Sequence, residues 1–136
     1  MDLEKSLQLS FAGMTAQGTR LRVIAENLAN ADSTAQTPGG EPYRRKVVTF
    51  QSVFDKTLDA TTVKATHIRP GSGEFERRFD PANPGADAEG YVLMPNVNPL
   101  MELMDMREAQ RSYQANLDTI DAAKSMISRT IDLLRS

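Results

Sequence analysis

Apolar side chains recur at every seventh position near both ends of the chain. In the first segment Leu7, Met14, Leu21 and Leu28 form one such line, and Leu3, Phe11, Ile24 and Ala25 widen it into a stripe. That pattern predicts an amphipathic helix from about Leu3 to Ala29. Gly13 and Gly18 each cost on the order of 1 kcal/mol of helix propensity relative to Ala. With Ala12 and Ala16 they leave a run of small side chains where a second helix can approach closely. The segment reads as a helix that needs a partner.

The last segment repeats the theme. Met106, Tyr113, Ile120, Ile127 and Leu134 are again spaced by seven, flanked by Leu103, Ala109, Leu117, Ala123 and Ile131. A helix from about Pro99 to Leu134 follows, roughly 54 Å long at about 1.5 Å per residue. Its start is marked by Asn98, a good N-cap, and by Pro99, which suits the first helical position. Glu102 and Asp105 lie near the positive end of its dipole, Arg129 and Arg135 near the negative end. A strict heptad stripe favours left-handed, coiled-coil-like packing. Periodicity alone is equally compatible with an ordinary two-helix dimer.

Between the helices the pattern breaks. Pro and Gly gather at Thr37-Pro38-Gly39-Gly40, Pro70-Gly71-Ser72-Gly73 and Pro81-Ala82-Asn83-Pro84-Gly85. Short β-prone runs separate them, at Tyr43 to Phe50, Val63 to Ile68, Phe75 to Phe79 and Tyr91 to Met94. Asp55 to Thr61 reads as a helical turn or a loop. The expected fold is mainly α with a small β insert: long N- and C-terminal helices in a coiled-coil-like pair around an irregular, β-rich middle. Segments 1–30 and 99–136 would form the paired-helix part, and 31–98 the loop and β insert.

Composition narrows the chemistry. The chain has 136 residues and a formal charge of 16 − 18 = −2, too balanced for a nucleic-acid or anionic-membrane surface. No stretch approaches the ~20 apolar residues of a membrane span, so direct membrane insertion is not expected. The polar start Met1-Asp2-Leu3-Glu4-Lys5-Ser6 lacks the pattern of a cleavable secretory signal. The chain is expected to remain in the cytoplasm or to leave by a route that reads no such signal. Without cysteine and with His67 as the single histidine, thiolate chemistry and histidine-rich metal sites are excluded within one chain. Asp80, Asp87 and Glu89 lack the alternating spacing of a calcium loop, and Pro81 and Pro84 stiffen the segment, so it reads as a solvated turn. No nucleophile motif, phosphate loop or cofactor fingerprint is present. The expectation is a non-enzyme without cofactor or metal.

Three groups of residues carry a family resemblance. Ala25-Glu26-Asn27-Leu28-Ala29-Asn30 resembles the Ala-Asn-Asn-Leu-Ala-Asn signature of flagellar rod and hook axial proteins, with Glu26 in place of the second Asn. Thr37-Pro38-Gly39-Gly40-Glu41-Pro42-Tyr43-Arg44-Arg45-Lys46 and Asp87 through Pro95-Asn96-Val97-Asn98 resemble the FlgC-type proximal rod proteins of that family. Met104-Asp105-Met106, Arg111-Ser112-Tyr113-Gln114-Ala115-Asn116 and Ala122-Ala123-Lys124-Ser125-Met126 fit the same pattern. The motifs keep the family order along the whole chain, although 61–76 matches nothing recognisable.

The resemblance implies a structural subunit of the bacterial flagellar basal body, required for motility and assembled through its terminal helices. Its assembly residues would be Leu7, Met14, Leu21, Leu28, Met106, Tyr113, Ile120, Ile127 and Leu134. Its partners would be copies of itself, other rod proteins of the FlgB, FlgF, FlgG and FliE type, and the flagellar export gate. It would be made in the cytoplasm, exported unfolded by the flagellar type III apparatus without signal cleavage, and built into a rod spanning the periplasm. Phe50-Gln51-Ser52-Val53-Phe54 matches the Phe-x-x-x-apolar pattern read by the gate. Its plainer reading is two aromatics packing at a strand end. Arg44-Arg45-Lys46 reads as a subunit contact or as a solvated strand edge that discourages stray pairing. The methionines of the last helix would suit contacts with non-identical neighbours. From a different class, a cytosolic helical adaptor or chaperone would bind partners through the same stripes, and a metal-dependent hydrolase would use the Asp-rich middle.

Overall fold

A computed structural model describes residues 2–136. The order of elements is α1 (Leu3–Ala29), β1 (Lys46–Asp55), β2 (Ala60–Pro70), β3 (Glu76–Phe79), β4 (Tyr91–Met94) and α2 (Pro99–Arg135). The fold is mainly α, two long helices with a β insert between them, as the periodicity predicts.

Local chemistry sets the helix ends. Asp2 Oδ1 accepts the backbone N–H groups of Glu4 and Lys5, at 3.0 and 3.4 Å, and so caps α1. At the other end, the Glu26 carbonyl accepts both the backbone N–H and the side-chain Nδ2 of Asn30, at 3.1 and 2.9 Å. A carbonyl that the helix would leave orphaned is thereby satisfied. Asn98 Oδ1 accepts from Leu100 and Met101 at 3.1 and 3.4 Å, and Pro99 opens α2.

The chain divides into two compact units. The first comprises Met1–Leu21, Thr49–His67 and Arg107–Ser136. There α1 and α2 run antiparallel: a Cβ on Gly13 would lie 2.9 Å from Asn116 Nδ2, Gly18 faces Tyr113, and Arg20 pairs with Glu108 at 3.5 Å. Position numbers rise on α1 as they fall on α2. Ala109, Ile120 and Ala123 are buried on α2, with Ser10 and Ala16 on α1. On the α1 side the contact with α2 is made at Gly13 and Gly18, whereas Ala16 lies beside Val63, Lys64 and Ala65 of the β insert, and Leu7, Met14 and Leu21 are half-buried. Close approach at Gly13 leaves no room for large residues at the centre.

The β1–β2 hairpin of this unit is longer than the β-prone runs suggest. Its strands cover 10 and 11 residues and extend into the segment read as a turn or loop. Asp55 Oδ1 accepts from the N–H groups of Thr57 and Leu58, and Asp59 takes a positive φ of 48°. The turn thus occupies only 56–59. The hydroxyls of Thr62 and Thr66 donate to the carbonyls of Val53 and Thr49, as opposed strands require.

The second unit comprises Arg22–Val48 and Ile68–Met106. Val23, Ile24 and Val92 are buried there. β3 and β4 pair antiparallel, Glu76 opposite Met94 through Phe79 opposite Tyr91. Phe79 and Tyr91 meet edge to face at 5.4 Å, and the Arg77 guanidinium lies over the Tyr91 ring at 4.6 Å. The 80–90 connection closes on Gly90, whose φ of 88° favours glycine and where a Cβ would meet Phe79 at 2.9 Å.

Candidate assembly site

The motif residues of 25–30, 37–46 and 87–98 lie in the second unit. Asn27 is 1 % exposed and uses both ends of its amide. Its Oδ1 accepts from the Tyr43 hydroxyl at 2.8 Å and from the Lys46 backbone N–H at 2.9 Å. Its Nδ2 donates to the Lys46 carbonyl at 2.9 Å and to Glu102 Oε2 at 3.5 Å. One side chain on α1 thus holds both backbone groups at the start of β1 and touches the first turn of α2.

Glu102 completes this clasp. It is also 1 % exposed, and Arg45 Nε donates to its Oε1. Arg45 reaches Asp105 as well, at 3.6 Å, and its backbone N–H is held by Asn96 Oδ1 at 2.7 Å. A carboxylate out of water requires a charged partner, and Arg45 supplies it. Helix-dipole reasoning finds Glu102 suitable for the first turn but is silent on its burial. That burial depends on a guanidinium 57 positions earlier. Glu26, the departure from the signature, pairs with Lys46.

The electrostatics follow from these contacts. Burial pushes the Tyr43 phenol above its ordinary value, and the Glu26 carboxylate adds to the effect. Its hydrogen bond to Glu26 raises the Lys46 ammonium. Asp87 in the 80–90 connection is lowered, chiefly by the Tyr91 backbone N–H at 2.9 Å and also by that of Glu89.

The remaining motif residues serve the same framework. Arg44 donates to the carbonyls of Gly71 and Gly73 and lies 4.4 Å over the Phe75 ring. Asn96 Nδ2 also donates to Gly73, Pro95 is buried and Val97 half-buried. On α1, Leu28 is half-buried and Ala29 exposed.

The heptad residues separate by burial. Ile120 is 2 % exposed and lies in the chain's own core, whereas Leu134 is 82 % exposed. Leu7, Met14, Leu21, Leu28, Met106, Tyr113 and Ile127 are half-buried. Apolar side chains stand free at both ends of α2: Leu100, Met101 and Met104 near its start, Ile131, Leu133 and Leu134 near its finish. Phe50 and Phe54 are on β1, Phe50 half-buried and Phe54 exposed. His67 is exposed. Among the described residues no group of three or more His, Asp or Glu side chains is placed to hold a metal ion, and no helix is long and apolar enough to cross a membrane.

Comparison with known proteins finds relatives along the whole chain. The family model for the flagellar basal body rod FlgEFG protein C-terminal region matches residues 88–133, which contain β4 and most of α2. The flagellar basal-body rod protein FlgC of Agrobacterium fabrum is 47 % identical over 134 residues, covering 98 % of this chain and 96 % of that protein. FlgC of Bacillus subtilis is 38 % identical, covering 94 % and 95 %, and FlgC of Escherichia coli O6:H1 is 40 % identical, covering 98 % of each. Similarity of this extent, end to end, shows that the chain belongs to the FlgC family of flagellar basal-body rod proteins.

Proposed function

We propose that this chain is a structural subunit of the proximal rod that assembles with copies of itself and with other rod proteins through its terminal helices. The observation that supports the reading is the uncovered apolar surface of α2. Leu100 is 67 % exposed, Leu133 76 % and Leu134 82 %. Apolar groups spread along a single helix find cover when neighbouring subunits pack against it. In this reading 1–30 and 99–136 carry axial assembly, with Leu7, Met14, Leu21, Leu28, Met106, Tyr113, Ile127 and Leu134 facing partner helices. Ile120 contributes by holding the pair together. Segment 31–98 carries contacts with particular neighbours, such as proteins of the FlgB, FlgF, FlgG and FliE type. The chain acts without catalysis: it bears load and extends the shaft.

Assembly across the periplasm requires export, and we assign recognition by the export gate to Phe50 and Phe54. Both belong to a folded strand, so the gate would read them in the unfolded chain. A strain deleted for the gene and complemented with variants tests both parts. Wild type is expected to restore swimming, and the combined Phe50→Ala and Phe54→Ala variant to accumulate in the cytoplasm at normal expression. Normal export of that variant dismisses the gate assignment. Undiminished swimming of the deletion strain dismisses the rod role.

A further inference from the structure

The second unit carries two surfaces of opposite charge, each with charged side chains that have no ion pair among the described residues. On one, a shallow groove of about 400 Å³ is lined by Tyr43, Arg44, Lys46, Ile68, Arg69 and Pro70. Arg22 is close enough to Lys46 for their charges to repel. Four cations, Arg22, Arg44, Lys46 and Arg69, thus gather on this face, and of them Lys46 is paired, with Glu26. Arg44 is spent on two carbonyls and an aromatic ring, none of which neutralises it. Among the described residues Arg22 and Arg69 have no ion pair.

The other surface surrounds a groove lined by Gly73, Glu74, Glu76, Asn96, Val97 and Pro99, among others, and adjoins the first where Arg44 donates to the Gly73 carbonyl. Neither glutamate has a cation within ion-pair distance among the described residues. The nearby arginines are engaged elsewhere: Arg77 with Asp87 and Glu89, Arg78 with Asp80. Both surfaces also have apolar residues in the open. Ile68 is 44 % exposed on the basic side, and on the acidic side Pro99 leads into Leu100 and Met101, at 67 and 58 %. Isolated surface charges are ordinarily just solvated. Two groups of opposite sign with unpaired members, each beside exposed apolar area, have the make-up of a protein–protein contact: an apolar centre for affinity and a charged rim for register.

We propose that these surfaces dock two copies of this chain, the basic face around Arg69 of one against the acidic face around Glu76 of the next. The occupant is a second copy because the complementary charge is present on the same unit, so each molecule supplies what its neighbour lacks. This contact gives the insert a share in assembly, together with the first turn of α2. Nucleic acid is a poorer fit, since the acidic face would repel it.

Sedimentation velocity of the purified full-length chain tests the proposal. Measurements at about 20 mM and about 500 mM NaCl shorten the Debye length from about 20 Å to about 4 Å. Self-association is expected at low salt and should weaken at least about tenfold at high salt. Arg69→Glu and Glu76→Arg should each weaken it similarly, and the double variant should recover it. Both side chains are exposed, and circular dichroism should show the variants folded. A chain that stays monomeric at low salt overturns the proposal, as does a double variant no better than the singles. Association indifferent to salt and to both substitutions also overturns it, while leaving the helix-stripe reading intact.

Discussion

Asn27 makes four hydrogen bonds from a site almost closed to water, so its amide cannot be replaced by a group that only resembles it in size. Asn27→Ala abandons the Lys46 backbone groups and should cost about 3 kcal/mol, since each buried group left unpaired costs roughly 1–3 kcal/mol. Asn27→Asp should cost more at neutral pH. It turns a donor that faces the Lys46 carbonyl and the Glu102 carboxylate into an acceptor of like charge. Acidification should narrow the gap between the two variants, as one carboxyl takes up a proton. Urea midpoints measured from about pH 4 to 8 check the order and the trend. An aspartate variant as stable as wild type at neutral pH would refute this account of the clasp.

The titrations of Tyr43 and Lys46 act on the opposite limb. Both pKa values are raised above their ordinary 10.0 and 10.5. Their contribution to stability is therefore fully present below those values and is lost as pH rises through the higher folded values. The urea midpoint should fall above about pH 10, and Tyr43→Phe should make that fall shallower. For Asp87 the sign reverses: its lowered pKa stabilises above its ordinary 3.8, an advantage lost as pH falls through the folded value.

At the scale of elements, the two helical glycines make contrasting predictions. Gly18 has only Tyr113 Cε2 nearby, at 4.0 Å from an added Cβ. Gly18→Ala should stabilise by about 0.5–1 kcal/mol through helix propensity. Gly13→Ala should give no such gain, because its Cβ would meet Asn116 Nδ2 at 2.9 Å, an atom already donating to the Ser112 carbonyl. In an Asn116→Ala background the Gly13→Ala gain should return. Thermal unfolding of the four variants reads this directly, and equal gains at both glycines would mean that the seam is looser than described.

What the sequence reveals about elements depends on whether their determinants are local. Asn98 and Pro99 mark the start of α2 because a cap acts on the N–H groups that follow it. The strand pair β3–β4 is legible because Gly and Pro bracket it. The length of β1 and β2 is not, because Asp59 holds the left-handed turn position where glycine would have announced it. Nor does heptad spacing say which side of α1 meets α2. Its large residues mark the stripe, yet the contacts with α2 fall at Gly13, Gly18 and Arg20. The joining of Asn27, Tyr43, Arg45 and Glu102 depends on contacts between distant segments. The motifs name three of these residues but give no reason for them, and Glu102 is not among them.

For the whole molecule, the central question is what covers the free apolar side chains of α2. The chain belongs to the FlgC family of rod proteins, and in the proposed reading neighbouring subunits supply that cover. Ile120 lies inside the chain, so a substitution there tests folding rather than assembly. Leu134, 82 % exposed, separates the two. The most direct measurement is thiol accessibility of a Leu134→Cys variant in purified basal bodies, made specific by the lack of native cysteine. The variant is predicted to co-purify with the basal bodies, to resist maleimide there while labelling readily as an isolated subunit, and to cross-link to a neighbouring rod chain. Absence of the chain from basal bodies, or labelling as fast in them as in the free subunit, would contradict assembly through the terminal helices.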